Sequence, residues 1–122
     1  MKPISVRFQC FGPYMAEQFI DFIRLEAGGL FLICGETGAG KTTILDAICY
    51  ALYGKSSGNL RGDFSVMRCK LAEKEETFTE FIFESGGKRY KFTRSLKMGR
   101  KNLNDSHNCL QWEDETWVPI FE

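Results

Sequence analysis

The sequence predicts an α/β domain with a mixed sheet at its core, an antiparallel subsheet beside it and one strong helix. Three patterns predict it. Ile4, Val6, Phe8 and Cys10 alternate with Ser5, Arg7 and Gln9, the period-two signature of a half-buried strand. Residues 30–34, Leu-Phe-Leu-Ile-Cys, are apolar without alternation, which suits a strand covered on both faces. Ile44, Leu45, Ile48 and Leu52 then recur at helical spacing, with Ala47 and Ala51 permitting close approach.

The elements follow in chain order. Gly12-Pro13 breaks the first strand, residues 18–22 read as a second, and Ala27-Gly28-Gly29 turns into the apolar third. A glycine-rich loop leads into a helix over residues 42–53, and Gly54 suits the left-handed residue that ends it. Residues 55–75 are irregular and charged, a length of structureless chain that is uncommon unless it has a function. Residues 77–83 and 89–96 are rich in aromatic and β-branched side chains around Gly86-Gly87, which predicts an antiparallel hairpin. Residues 98–108 read as a polar loop, and residues 109–112 with Trp117-Val118 as a last hairpin around Glu113-Asp114-Glu115.

Composition bounds the function. The 122 residues suffice for one core, and seventeen aromatics can fill it. Sixteen basic residues balance sixteen acidic ones, which excludes both a uniformly basic nucleic-acid coat and an acidic disordered chain. No apolar run approaches the ~18 residues of a membrane span, and the N-terminus begins as a strand without a signal-peptide core. The five cysteines (Cys10, Cys34, Cys49, Cys69, Cys109) are odd in number and lack Cys-x-x-Cys spacing. Reduced core thiols in a cytoplasmic protein are therefore expected, rather than zinc ligands or disulfides.

The chemistry lies in Gly35-Glu36-Thr37-Gly38-Ala39-Gly40-Lys41-Thr42, which matches G-x-x-x-x-G-K-[ST] at every fixed position. Glycines allow backbone N–H groups to turn inward around a phosphate chain, and the helix that follows aims its positive end at the same anion. Gly35, Thr37, Gly38, Ala39, Gly40, Lys41 and Thr42 are thus the residues expected to bind a nucleotide triphosphate. Lys41 is the catalytic candidate, gripping the terminal phosphates. The Thr42 hydroxyl is the expected ligand of Mg2+, and Thr43 adds a hydroxyl near the α-phosphate. Tyr14 stands where it could stack on the adenine, although a turn tyrosine more often serves packing. The aspartate-terminated apolar strand that usually completes such a site is missing: residues 81–84, Phe-Ile-Phe-Glu, read better as a half-buried hairpin strand. The D-x-x-G and N-K-x-D motifs of GTP switches are also lacking in this sequence.

Further residues resemble a known family: Phe11-Gly12-Pro13-Tyr14, Ile20-Asp21-Phe22, Gly29-Leu30-Phe31-Leu32-Ile33, and Thr42-Thr43-Ile44-Leu45-Asp46-Ala47-Ile48-Cys49-Tyr50-Ala51-Leu52-Tyr53-Gly54. Together they are similar to the N-terminal ATPase lobe of the SbcC family, SMC-like ATPases of DNA double-strand-break repair. The resemblance is densest over residues 8–70, and the helix sequence is more specific than the loop before it. Gly12 departs from the polar or basic residue often found there.

The resemblance implies a P-loop NTPase fold of the ABC/SMC type, with residues 1–122 as the N-terminal lobe of a split head. It places a coiled coil with a zinc hook, and a C-terminal lobe with signature and Walker B motifs, outside this chain. It implies ATP held between two copies of the head, and an SbcD-type nuclease partner whose cutting of double-stranded DNA ends is regulated by ATP binding and hydrolysis. Turnover would then belong to the full-length protein, with little or none in this lobe alone. The alternatives are an ABC-transporter-type nucleotide-binding subunit, which residues 45–54 disfavour, and a nucleotide-gated dimerisation module without turnover.

Charge is also segregated. Residues 88–101 hold seven basic side chains and no acidic one, against nine basic and sixteen acidic elsewhere. Arg89, Lys91 and Arg94 form a strip that could neutralise DNA phosphates, weighed against an ordinary solvated strand face. Arg61 and Arg68 could reach phosphate or an opposing head, each weighed against an ordinary surface arginine; Asp46 could anchor the helix or face a partner lobe, with packing support favoured; and His107 stands without ligand spacing.

Overall fold

The computed structural model describes residues 1–25, 41–53, 68–99 and 103–120. Six strands form one antiparallel sheet: β1 (Lys2–Gln9), β2 (Gln18–Asp21), β3 (Thr77–Ser85), β4 (Lys88–Met98), β5 (Leu103–Glu113) and β6 (Thr116–Pro119), in the order β2-β1-β3-β4-β5-β6. Two helices are described, the four-residue α1 (Phe22–Leu25) and α2 (Lys41–Tyr53), which packs across β1, β3 and β4. The expected buried strand over residues 30–34, the turn before it and the Gly54 cap lie outside the described residues.

Alternation decides which face is which. Val6 and Phe8 of β1, Phe81 and Phe83 of β3 and Leu96 of β4 point at the helix and are buried. Ala47, Tyr50 and Ala51 meet them from α2, with Phe11 and Phe22 filling the ends. The two alanines allow the helix backbone to lie close to this aromatic layer, as their positions in the stripe predict. Phe83 stacks on Phe81 at 5.2 Å and on Tyr90 at 5.4 Å, carrying the layer from β3 to β4.

Both expected hairpins are present. Gly86 and Gly87, at φ +60° and +79°, make the two-residue turn between β3 and β4 that left-handed residues favour. Asp114 and Glu115 adopt the same backbone region, at 51° and 63°, between β5 and β6.

Two expectations are corrected. The second strand ends at Asp21 rather than Phe22, because the Asp21 Oδ1 accepts the N–H groups of Ile23 (3.0 Å) and Arg24 (3.4 Å) and starts α1. The polar loop over residues 98–108 is largely strand: β5 pairs with β4 from Leu103 opposite Met98 onward. Its polar side chains reflect exposure on both faces, since residues 104–108 are all exposed.

Candidate functional site

The sequence motif and the fold meet at the start of α2. The helix begins at Lys41, directly after the glycine-rich loop, so the backbone N–H groups of its first turn follow the motif without a break. Gly35, Thr37, Gly38, Ala39 and Gly40 lie outside the described residues. The first turn of α2 carries no acidic residue, and its last turn carries no basic one. The N-terminal partial charge therefore has no carboxylate of its own helix beside it, a donor set that fits an incoming anion. Thr43 and Asp46 are buried, so Asp46 belongs to the interior of the fold. Burial first, and the Asp46 charge second, push the Cys49 thiol up.

The opposite side of the helix is held by the corner after β1. Phe11 and Tyr14 exchange backbone hydrogen bonds at 2.8 and 3.0 Å, and Tyr14 packs its ring edge-on to Phe8 at 5.7 Å. That ring is half-buried against the core, the packing alternative weighed for it. Cys10, at φ 53°, is held in the left-handed region by three bonds. Its N–H donates to the Met15 carbonyl at 3.1 Å, and its carbonyl accepts the Cys69 N–H and the Thr77 hydroxyl, each at 2.9 Å.

Arg68 completes this corner from the segment that returns after the helix. It bridges to Phe11, and its guanidinium donates to the Thr77 hydroxyl at 3.0 Å, to the Glu73 carbonyl at 3.1 Å and to the Glu75 carbonyl. Its reach is thus spent on ordering residues 73–77, while Arg61 lies outside the described residues.

The basic strip divides between the two faces of the sheet. Lys88 and Arg89 flank the exposed Gly86-Gly87 tip, and Lys91 places its Nζ 4.6 Å over the Trp117 ring on the outer face. Lys97 pairs with Glu76 at 3.5 Å. Arg94 does not share the face of Arg89, Lys91 and Lys97. It lies opposite Thr79 on the core side, its Nε donates to the Tyr50 carbonyl at 3.0 Å, and its Nη1 reaches both Asp105 oxygens at 3.3 Å. Sequence reasoning missed this role, although parity carried the signal: Arg94 falls in step with Tyr90, Phe92 and Leu96.

Among the described residues, no group of three His, Cys, Asp or Glu side chains could hold a metal ion, and His107 is exposed on β5. The described cysteines are free, and no described helix is long and apolar enough to cross a membrane.

Known proteins are similar in sequence to this chain along most of its length. The AAA domain family matches residues 5–117. The chain is similar to the C subunit of the SbcCD nuclease of Vibrio cholerae, 51% identical over 118 residues, covering 89% of this chain and 11% of the relative. It is 42% identical to the protein of that name from Staphylococcus saprophyticus (84% of this chain, 10% of the relative) and 38% identical to that of Lactococcus lactis (91% and 10%). The chain spans about a tenth of the length of these curated relatives.

Proposed function

The chain belongs to the AAA domain family, and from that premise we propose that it is the ATP-binding N-terminal lobe of an SbcC-type DNA-repair ATPase. In the full-length protein, ATP binding and hydrolysis would bring two heads together and regulate cutting of DNA ends by an SbcD-type nuclease. One observation carries the reading: a complete phosphate-loop motif ends where α2 begins, at Lys41. The similarity to subunits named for the SbcCD nuclease supports the repair context.

The division of labour follows from donor chemistry. The N–H groups of residues 37–42 cradle the polyphosphate, and Lys41 adds a mobile point charge at its terminal oxygens. Thr42 supplies the hydroxyl ligand for Mg2+, which when bound neutralises charge between the phosphates. Thr43 lies one residue further along, and Tyr14 is the candidate for stacking on the adenine. The helix contributes a fixed dipole that needs no reorganisation on binding. Water activation requires an acid that this lobe does not supply from the motif, so the lobe binds nucleotide without turning it over.

The test is titration of the 122-residue chain with a fluorescent ATP analogue in Mg2+. Saturable binding, lost in Lys41→Ala with the fold retained by circular dichroism, is expected, together with negligible phosphate release. Equal binding by Lys41→Ala would overturn the assignment of the site, and appreciable Lys41-dependent turnover would overturn its division between lobes.

A further inference from the structure

We propose that Cys10 and Cys69 are a redox-responsive pair, two thiols at rest that close into a disulfide when a small-molecule disulfide oxidant reaches them. The bond staples the corner after β1 to the segment that precedes β3. It depends on no property of the nucleotide site.

Backbone pairing brings the two residues together from distant parts of the chain. Phe11 and Arg68 form an isolated antiparallel bridge, and the Cys69 N–H donates to the Cys10 carbonyl at 2.9 Å. Cys10 and Cys69 therefore stand opposite one another, one step along from that bridge. Opposed residues at a hydrogen-bonded position have Cα atoms about 5.5 Å apart, inside the span of about 4.4–6.8 Å that a disulfide bridges. The Thr77 hydroxyl fixes the same point, donating to the Cys10 carbonyl at 2.9 Å, and Arg68 donates in turn to Thr77 at 3.0 Å. Cys10 is fully buried, Cys69 is 6% exposed, and both are free thiols.

At rest the Cys10 thiol has another partner. Its Sγ donates to the Met15 Sδ at 3.8 Å, and the Met15 carbonyl accepts the Cys10 N–H at 3.1 Å. Met15, Cys10 and Cys69 thus make a row of three sulfur residues across three neighbouring stretches of chain. The Cys10 backbone is held from both flanks at φ 53°. Exchange between its two neighbours is left to rotation about χ1, from one staggered well to another. A thioether accepts only weakly, so Met15 holds the thiol loosely and leaves it available to Cys69.

The exchange proceeds in two steps. Cys69, the less buried of the two, attacks one sulfur of the oxidant as a thiolate, forms a mixed disulfide and releases one small thiol. The Cys10 thiolate then attacks the Cys69 sulfur, the second small thiol leaves, and the protein disulfide closes. Two electrons pass from the protein pair to the oxidant, and the two thiol protons end on its products. Burial makes attack wait for brief opening of the corner, so closure is slow. The closed loop takes in residues 11–68, and a crosslink of that length restricts the unfolded chain and raises stability.

The experiment incubates the native chain with oxidised glutathione, blocks remaining thiols, and maps tryptic peptides without reduction by mass spectrometry. Trypsin releases Cys10 within residues 8–24 and Cys69 within residues 69–70, so a single linked mass identifies the pair. That link is expected to exceed every link to Cys34, Cys49 or Cys109 and to vanish with dithiothreitol. The urea midpoint of the oxidised chain should rise, and Cys69→Ser should abolish both the link and the rise. A rise that persists in Cys69→Ser overturns the proposal. So does glutathione retained on Cys69 without closure, a link formed only in urea, or a yield no greater than that of the other cysteine pairs. Should Cys69→Ser fail to fold, the peptide map of the unaltered chain decides alone.

Discussion

Phe11 and Tyr50 meet edge to face with ring centroids 5.9 Å apart, both fully buried. Phe11 belongs to the tight corner after β1, whose Gly12 adopts φ 57°, and Tyr50 to the final turns of α2. The contact joins the edge of the sheet to the helix that begins at the phosphate loop. Phe11→Ala should cost about 3–5 kcal/mol through lost burial and the cavity left behind. Phe11→Leu should cost markedly less, because most of the volume is kept. Urea denaturation of both variants checks this, and equal losses would mean that the ring is not packed as described.

Arg68, Thr77 and Cys10 form a relay in which the guanidinium donates to a buried hydroxyl and that hydroxyl donates to a carbonyl. Thr77→Val keeps the shape of the side chain but leaves the Cys10 carbonyl with one donor fewer, and should cost about 1–3 kcal/mol. Arg68→Ala should cost less than this, since much of its bonding is to exposed carbonyls. In the double variant the two losses should sum to more than the measured total, because either change breaks the same relay. Full additivity in chemical denaturation would show that the two bonds act independently.

How far these features can be read beforehand depends on whether burial imprints a period. Val6 and Phe8 alternate with polar neighbours because one face of β1 is covered, whereas the stripe on α2 marks its buried face only in part: Ile44, Ile48 and Leu52 are half-buried, Leu45 is exposed, and Tyr50, outside the stripe, is buried. Gly86-Gly87 announces its hairpin because two left-handed positions favour glycine. The first half of β5 leaves no such mark: Asn104, Asp105, Ser106, His107 and Asn108 are exposed, so partner pairing rather than side-chain pattern makes them strand. At the site, the phosphate-loop motif is legible because its chemistry restricts residue types. Charge weighed without parity groups Arg94 with its basic neighbours. The bond to the Tyr50 carbonyl joins residues 44 positions apart, beyond the range of any local pattern.

Acid should loosen the segment that Arg68 organises. The Glu73 N–H foremost, helped by those of Glu75 and Lys74 and by the Arg68 charge, holds the Glu75 carboxyl below the ordinary carboxylate range. Its Oε2 accepts the Glu73 and Lys74 amides at 2.9 and 3.0 Å. Because the folded pKa is the lower one, the stabilisation is complete above the ordinary carboxylate value. It is lost as pH falls through the lowered value. Carboxyl titration followed by NMR should place the Glu75 midpoint below the ordinary glutamate range. Amide exchange at Glu73 and Lys74, corrected for the intrinsic pH effect, should lose protection over the same range. A Glu75 midpoint at or above the ordinary glutamate range would remove the basis for the claim.

The division of the basic strip makes a sharp distinction between neighbouring arginines. Arg89 is exposed beside the hairpin tip and Lys91 lies on the outer face, whereas Arg94 is turned inward to Tyr50 and Asp105. If DNA phosphates lie along this face in the full-length protein, each neutralising contact releases counterions, and the logarithm of affinity falls with the logarithm of salt accordingly. Replacing Arg89 and Lys91 together by glutamine should flatten that slope by about 2. Arg94→Gln should leave the slope unchanged, because its charge is already spent within the fold on Tyr50 and Asp105. The measurement is DNA binding by the full-length protein across a salt series at one temperature. An unaltered slope in the Arg89 and Lys91 variant would take the strip out of DNA contact. A slope flattened by Arg94→Gln alone would mean that its guanidinium turns outward when DNA is bound.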